Sequence, residues 1–372
     1  MKSILFVAHD PGGANVIKPV IEYYTLKRSD MKSHCLLLGP AEERITPTSP
    51  TLTYHRVRTR ATPDFPNELS AEPEDIALLL ETIKPDAVLT ATSFNSNLER
   101  LAVRFANERG IPTLSILDFW SNYAQRFTLD GILSPPRVLF VADERMRREA
   151  ALELPGITNV VISGNPHLGS IATKYAPARQ QTGSQVQAPL SRVRFFCENI
   201  RHYYPDKPVN EFTVVPKLLQ SLIQYGFHGE VLIRPHPMES HAPWEEEIAN
   251  FGLEITGSGG KRFAAKPAIT VRLDTATFDE VLRDKCAAVG FNSMALLETA
   301  SVGIPTFSYQ VAVPEEYFGL PFEEYGIVRL ARTEDISQLA MCLPRPSAEL
   351  SLQKTTDVLA IIDHRLTQVF IS

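Results

Sequence analysis

The sequence predicts an α/β protein made of two doubly wound, Rossmann-like halves. Three observations predict it. Short apolar runs without alternation recur along the chain, as expected of strands buried on both faces of a parallel sheet. Amphipathic stretches of helical length follow most of these runs. The alternation breaks once, in a stretch poor in large apolar residues, and then resumes. At 372 residues and roughly 150 residues per domain, the length also gives two domains.

The elements follow in order. Ser3 to Ala8 is a continuous apolar run that ends in His9-Asp10-Pro11-Gly12-Gly13, and Ala14 to Lys27 reads as a helix. His34 to Leu38 and Leu52 to Val57 are the next strands, and Pro73 to Thr82 is helical. Ala87 to Thr90, the helix Asn97 to Glu108, and the strands Pro112 to Leu117 and Val138 to Ala142 continue the pattern. The helix Glu144 to Leu152 and the strand Val160 to Ser163 close this half. Tyr175 to Pro189, rich in Gln, Ala, Pro and Ser, reads as a linker. Strands then recur at Arg194 to Cys197, Glu230 to Arg234, Ile269 to Leu273, Cys286 to Gly290 and Pro305 to Tyr309. Helices at Glu211 to Tyr225, Trp244 to Phe251, Thr277 to Asp284 and Ser293 to Val302 alternate with them. The tail, Thr333 to Phe370, is mostly helical.

The predicted boundaries are 1–172 for the first half, 173–192 for the linker, 193–345 for the second half and 346–372 for a C-terminal helix. Two such halves, a linker and a helical tail make the GT-B architecture, whose parallel sheets face an interdomain cleft. The first half would bind an acceptor and the second a nucleotide.

Composition narrows the partners. With 44% hydrophobic and 22% charged residues the chain is neither disordered nor fibrous. Its 37 basic against 43 acidic residues leave no basic excess, so nucleic acid is not an expected partner. Cys35, Cys197, Cys286 and Cys342 are far apart and form no C-x-x-C pair, which suits free thiols in a reducing compartment. The N-terminal apolar run is too short for a signal peptide, and no apolar run approaches about 18 residues. A cytoplasmic location is therefore expected.

Candidate chemistry collects just after predicted strands, which in open α/β sheets is the ligand edge. After the strand ending at Gly290, the turn Phe291-Asn292-Ser293 leads into a helix. Its free N–H groups and positive dipole end suit a phosphate. Ser293 would cap the helix or donate to a phosphate oxygen, and Glu298 would accept from ribose hydroxyls. Ile233-Arg234-Pro235-His236-Pro237 holds His236 between two prolines at a strand end, where it would steady charge on a leaving phosphate, with Arg234 and Pro237 beside it. Asp10 would act as general base, with Asp118 as the second choice. His9, Gly12, Gly13, Ser93, Trp120 and Asn165 would contact the substrate, the glycines by letting the backbone come close and Trp120 by offering an aromatic face.

These residues resemble a family. The pairing of IRPHP with VGFNSMALLETASVGIP is similar to GT-B glycosyltransferases of bacterial surface and capsular polysaccharide synthesis. Within them it looks most like the sialyl- and Kdo-transferase-like groups and the CDP-glycerol glycerophosphotransferases. In that resemblance His236-Pro237 matches the His-Pro element and Ser293 the Ser element that hold nucleotide phosphates, and Glu298 takes the place of the ribose-binding acid. Gly164-Asn165-Pro166 and the helix from Ser293 are also similar to the non-hydrolysing UDP-GlcNAc 2-epimerases. The chain departs from these groups at Asn292-Ser293, where two serines are common, and at His9–Gly13, where the epimerases carry Gly-Thr-Arg-Pro-Glu.

The expected activity is metal-independent transfer of a sugar from a CMP-, CDP- or UDP-linked donor to a hydroxyl of a glycan or lipid-linked acceptor. No further cofactor is expected, since the nucleotide-sugar is itself a substrate and no D-x-D motif stands out. A lipid-linked acceptor would bring the protein to a membrane surface. The alternatives are a nucleotide-sugar epimerase or hydrolase, a CDP-alditol phosphotransferase and a non-catalytic scaffold.

Overall fold

The N-terminal apolar run becomes the strand β1 (Lys2–Ala8), in which Ile4 to Ala8 are wholly buried. The structure, a computed structural model, describes residues 1–45, 51–62, 65–94, 96–180, 191–203, 205, 209–237, 239–255, 269–311, 313, 319–341 and 355–371. Half of the expected linker, 181–190, lies outside these residues, as do Cys342 and the expected boundary at 345. The chain divides into two units, Met1–Thr173 with Leu352–Ser372, and Lys174–Ser351.

In the first unit β1 is joined by β2 (Met31–Leu37) and β3 (Leu52–His55). Two strands the sequence did not announce, β4 (Thr59–Thr62) and β5 (Phe65–Ala71), form an antiparallel hairpin. The sheet continues with β6 (Ala87–Thr90) and β7 (Thr113–Ile116), and a second small hairpin joins β8 (Thr128–Leu129) to β9 (Ile132–Leu133). β10 (Val138–Val141) and β11 (Val160–Ile162) complete it. The seven-stranded order is β11-β10-β7-β6-β1-β2-β3, and every pairing within it is parallel. β1 lies between β2 and β6, so the strand order reverses there.

The second unit repeats the plan with β12 (Arg192–Phe196), β13 (Gly229–Arg234), β14 (Ile269–Leu273), β15 (Ala287–Gly290), β16 (Thr306–Tyr309) and β17 (Val328–Leu330). Its order, β14-β13-β12-β15-β16-β17, is all parallel. This is the doubly wound 3-2-1-4-5-6 arrangement, with its reversal between β12 and β15. The fold is GT-B: two parallel-sheet α/β units and a helical C-terminal segment.

That segment, the helix Thr355–Ile371, belongs to the first unit. Val358, Ile362 and Leu366 recur at helical spacing and pack into the same core as Phe6, Ile17 and Tyr24. The Tyr24 hydroxyl donates to Asp363 at 2.8 Å, and Arg28 pairs with the same carboxylate. The helix Pro166–Gln180 runs into the stretch expected to be linker, because Ala and Gln there favour a helix once it has begun.

Candidate functional site

In the first unit the site forms at the switch point between β1 and β6. His9 and Asp10 leave β1, and the helix Pro11–Lys27 starts directly after them. Asp10 Oδ1 lies 2.7 Å from His9 Nδ1, and Asp10 Oδ2 accepts the Phe94 N–H at 3.0 Å. Both carboxylate oxygens are thus held in place, while a fifth of the Asp10 side chain stays open to solvent. His9 is wholly buried, and its backbone N–H donates to Glu99 Oε1 at 2.8 Å. Ser93 donates its hydroxyl to Glu99 Oε2 at 2.7 Å. Burial and the neighbouring Asp10 charge push the Glu99 carboxyl up to about 7.

The two glycines, expected to let the backbone approach a substrate, bring it close to other parts of the protein. A Cβ on Gly12 would lie 2.3 Å from Asp118 Oδ2, and one on Gly13 would lie 2.9 Å from both Ala91 Cβ and the Thr92 carbonyl. Asp118 Oδ1 accepts from Thr92 Oγ1 at 2.8 Å and from Arg126 Nη1 at 2.7 Å. Arg126 in turn donates its Nε–H to the Ser121 carbonyl at 3.0 Å. Asp118 is therefore compensated by a buried guanidinium and braces the loop after β7, whereas Asp10 bonds to the His9 ring and has the Arg100 charge only nearby. His9, Asp10, Gly12, Gly13, Ser93 and Asp118 come together as expected of one strand edge.

Trp120 and Asn165 are both engaged within the first unit. Trp120 is 2% exposed, and its indole N–H donates to Asp143 Oδ2 at 2.7 Å. An indole can bury its face at low cost when its N–H finds a partner, and Asp143 is that partner. Asn165 Oδ1 accepts the His167 and Leu168 N–H groups at 2.9 and 3.1 Å, which caps the helix Pro166–Gln180.

In the second unit the switch point lies between β12 and β15. Ser293 caps the helix Met294–Ser301, accepting the Ala295 N–H on its Oγ. The Asn292 side chain accepts the N–H groups of Gly319 and Leu320, both at 3.0 Å, so it fixes a loop. Glu298 is nearly buried within that helix. His236 is partly buried after β13, and burial holds its imidazole below the ordinary value, hence neutral near pH 7. Its backbone N–H donates to Glu239 Oε2 at 3.2 Å, and Trp244 Nε1 donates to Glu239 Oε1 at 3.0 Å. Pro237 is exposed. Arg234 is engaged elsewhere: its Nη1 donates to Asp274 at 3.1 Å and to the Ala276 carbonyl at 2.7 Å, and its guanidinium lies 5.7 Å from the Phe278 ring centre.

Sequence reasoning missed three carboxyl groups beside these residues. Glu198, immediately past the apolar end of β12, accepts the backbone N–H groups of Phe291 and Asn292, the first at 3.1 Å. Burial, with the Glu211 charge adding to it, pushes its carboxyl up to about 8 against the pull of those amides. Glu211 Oε1 accepts the N–H groups of Glu198 and Ile200 at 2.9 and 2.8 Å. Burial raises Glu239 too. One signal could have exposed Glu198: it stands after the first strand of its half, as Asp10 does.

These shifts set a pH dependence. A carboxyl raised in the folded state keeps a proton that the unfolded chain, at about 4.5, has already lost, so stability falls as pH rises towards the folded value. His34, His55 and His236 are lowered and act in the opposite sense only below about 6.5. Between about pH 6.5 and 8.5 the carboxyls therefore dominate. The melting temperature is expected to fall across that window and to fall less in Glu198→Gln; a rising melting temperature would contradict these assignments.

No protein-family model matches the chain, and no curated protein matches it by sequence. Solved structures do. UDP-GlcNAc 2-epimerase from Methanocaldococcus jannaschii superposes with a TM-score of 0.62 at 11% identity, covering 98% of this chain and 99% of its own. MurG from Acinetobacter baumannii gives 0.55 at 12% identity, with 98% and 100% covered. A UGT transferase from Siraitia grosvenorii, solved in complex with UDP, gives 0.56 at 11% identity, again with 98% and 100% covered. The chain thus shares, over nearly its whole length, the two-unit fold of these glycosyltransferases and epimerases.

Proposed function

We propose that the protein is a GT-B glycosyltransferase of surface polysaccharide biosynthesis. It would move a sugar from a CMP-, CDP- or UDP-linked donor to a hydroxyl of a glycan or lipid-linked acceptor. The observation that carries this reading is the second unit's switch point. There, the backbone N–H groups of Phe291 and Asn292 converge on one carboxyl oxygen at the start of a helix, just after β15, and β12 lies between β15 and β13, the strand after which His236 stands. Such a convergence suits a diphosphate. The complexes with UDP among proteins of this fold support the same choice.

In this reading the 291–293 amides and the Ser293 hydroxyl hold the phosphate, and the neutral His236 imidazole donates a hydrogen bond to the departing oxygen. Glu298 lies on the same helix for the ribose. Asp10 takes the proton from the attacking hydroxyl. His9 and the Phe94 amide fix the orientation of its carboxylate, and orientation is most of what a base needs beyond a suitable proton affinity.

A second reading, nucleotide-sugar epimerisation or hydrolysis, draws on the raised carboxyls Glu99 and Glu198, which carry protons near neutral pH and so can serve as acids. Product analysis separates the two. Incubation with UDP-GlcNAc, CMP-sugars and CDP-alditols, each with and without oligosaccharide acceptors, is expected to release nucleotide only when an acceptor is present. A new free hexose from donor alone would favour the second reading, and CMP released from a CDP-alditol would point to phosphotransfer.

A further inference from the structure

We infer that Glu198 sits where the donor's phosphate would bind, and that a nucleotide binds only when the Glu198 carboxyl leaves the 291–293 amides. The inference rests on the nucleotide reading above and adds a regulation to that site. Oε1 of Glu198 accepts the N–H groups of Phe291 and Asn292, and the nearby Ser293 amide favours the charged carboxyl as well. Several amides converging on one anionic group at a helix start is the environment a phosphate oxygen seeks. The Glu198 carboxyl oxygen and a phosphate oxygen cannot both occupy it.

Glu198 is also built to move as a side chain alone. Its backbone is pinned, because its own N–H and that of Ile200 both donate to the buried Glu211. Asn199 follows in the left-handed region at φ 57, which fixes the chain direction on the other side. Among the described residues no cation pairs with the Glu198 carboxyl. A second observation points to a missing ligand. Glu211 is wholly buried, its Oε1 holds the Glu198 and Ile200 amides, and its Oε2 has no hydrogen-bond partner. That buried acceptor, on the residue that holds the Glu198 backbone, is left unsatisfied.

The titratable groups around Glu198 are Glu211 and Cys197, both within reach of the Glu239 charge, and Glu239 in turn holds the His236 backbone after β13. The carboxyls are all of one sign, and burial keeps the imidazole neutral. These surroundings favour the protonated carboxyl, which accepts hydrogen bonds more weakly and is easier to displace. Raising the pH through about 8 strengthens its grip on the amides and so weakens nucleotide binding.

The test is isothermal titration of UDP, CDP, CMP and pyrophosphate into the wild type, Glu198→Ala and Glu198→Gln at about pH 6.5 and 8.5, on either side of the Glu198 transition. Glu198→Ala is expected to bind nucleotide about tenfold or more tighter than the wild type, the scale of one charge-assisted hydrogen bond no longer broken on binding. Wild-type affinity is expected to fall between the lower and the higher pH by more than that of Glu198→Gln, which shares the ligand's own titration. Glu198→Gln keeps the acceptor and the shape, so it carries the test if the alanine variant fails to fold. Equal nucleotide affinity in all three proteins, or weaker binding by Glu198→Ala, overturns the inference and leaves the nucleotide reading standing. A gain for pyrophosphate without any for nucleotides upholds the displaced carboxyl and sinks the nucleotide reading. No binding by any of the proteins overturns both.

Discussion

In Asp10→Asn, turnover of whichever nucleotide-sugar the wild type consumes is expected to fall by about 10²–10⁴-fold, with nucleotide affinity unchanged. The amide cannot take up the acceptor's proton. It also disturbs the clamp: a –NH₂ group in place of Oδ2 would face the Phe94 N–H, donor against donor. A melting curve on the same sample separates that structural cost from the loss of the base. Steady-state kinetics with a nucleotide titration alongside check the prediction. A non-catalytic scaffold would show no turnover to lose, and unchanged turnover in the variant would remove Asp10 from the chemistry.

Trp244→Ala is expected to be the most destabilising single change in the second unit, by about 3–5 kcal/mol. Trp244 is wholly buried, and its ring stacks on Phe212 with centroids 4.2 Å apart. Removing it leaves a cavity, and the Glu239 carboxyl loses the Nε1–H donor at 3.0 Å. Glu239 is linked back to His236, accepting its backbone N–H and donating its own to the His236 carbonyl at 2.8 Å. The loss therefore reaches the functional loop as well as the core. Trp244→Phe keeps most of the apolar area, so urea denaturation is expected to rank the proteins wild type, Trp244→Phe, Trp244→Ala. Equal midpoints for the wild type and Trp244→Ala would contradict the packing described.

Much of this fold was legible in the sequence because burial writes itself into strands directly. Ile4 to Ala8 must lie between two layers, since nothing polar interrupts them, and the same holds for Ala287 to Val289. The hairpins β4–β5 and β8–β9 were not legible. In the first of them Arg60, Asn67 and Glu68 stand among the apolar residues, and Pro63 and Pro66 break the run, so no strand period shows across 59–71. The second is too short, at two residues a strand, for any period to register.

The candidate site was legible where a residue type sits straight after an apolar run, as at His9-Asp10, Asn292-Ser293 and His236. Partners far away in the chain were not. Arg234 looked like a free charge because Asp274, which engages it, is 40 residues on. Trp120 looked like an open ring because Asp143, its partner, belongs to a later helix cap. Glu198 was hidden for the opposite reason. A single carboxylate after a strand looks like an ordinary polar exit until the amides of 291 and 292 are brought to it across the β12–β15 pairing.

The central claim is that the second unit binds a pyrimidine nucleotide at the 291–293 loop. Its most direct test is a titration of CMP, CDP and UDP into the full chain, read by calorimetry, with Ser293→Pro as the site control because proline removes one of the amide donors. The account predicts saturable one-to-one binding of at least one of these nucleotides and its loss in a Ser293→Pro protein that still melts cooperatively. Binding that survives Ser293→Pro, or no binding of any nucleotide by the wild type and Glu198→Ala alike, would contradict it.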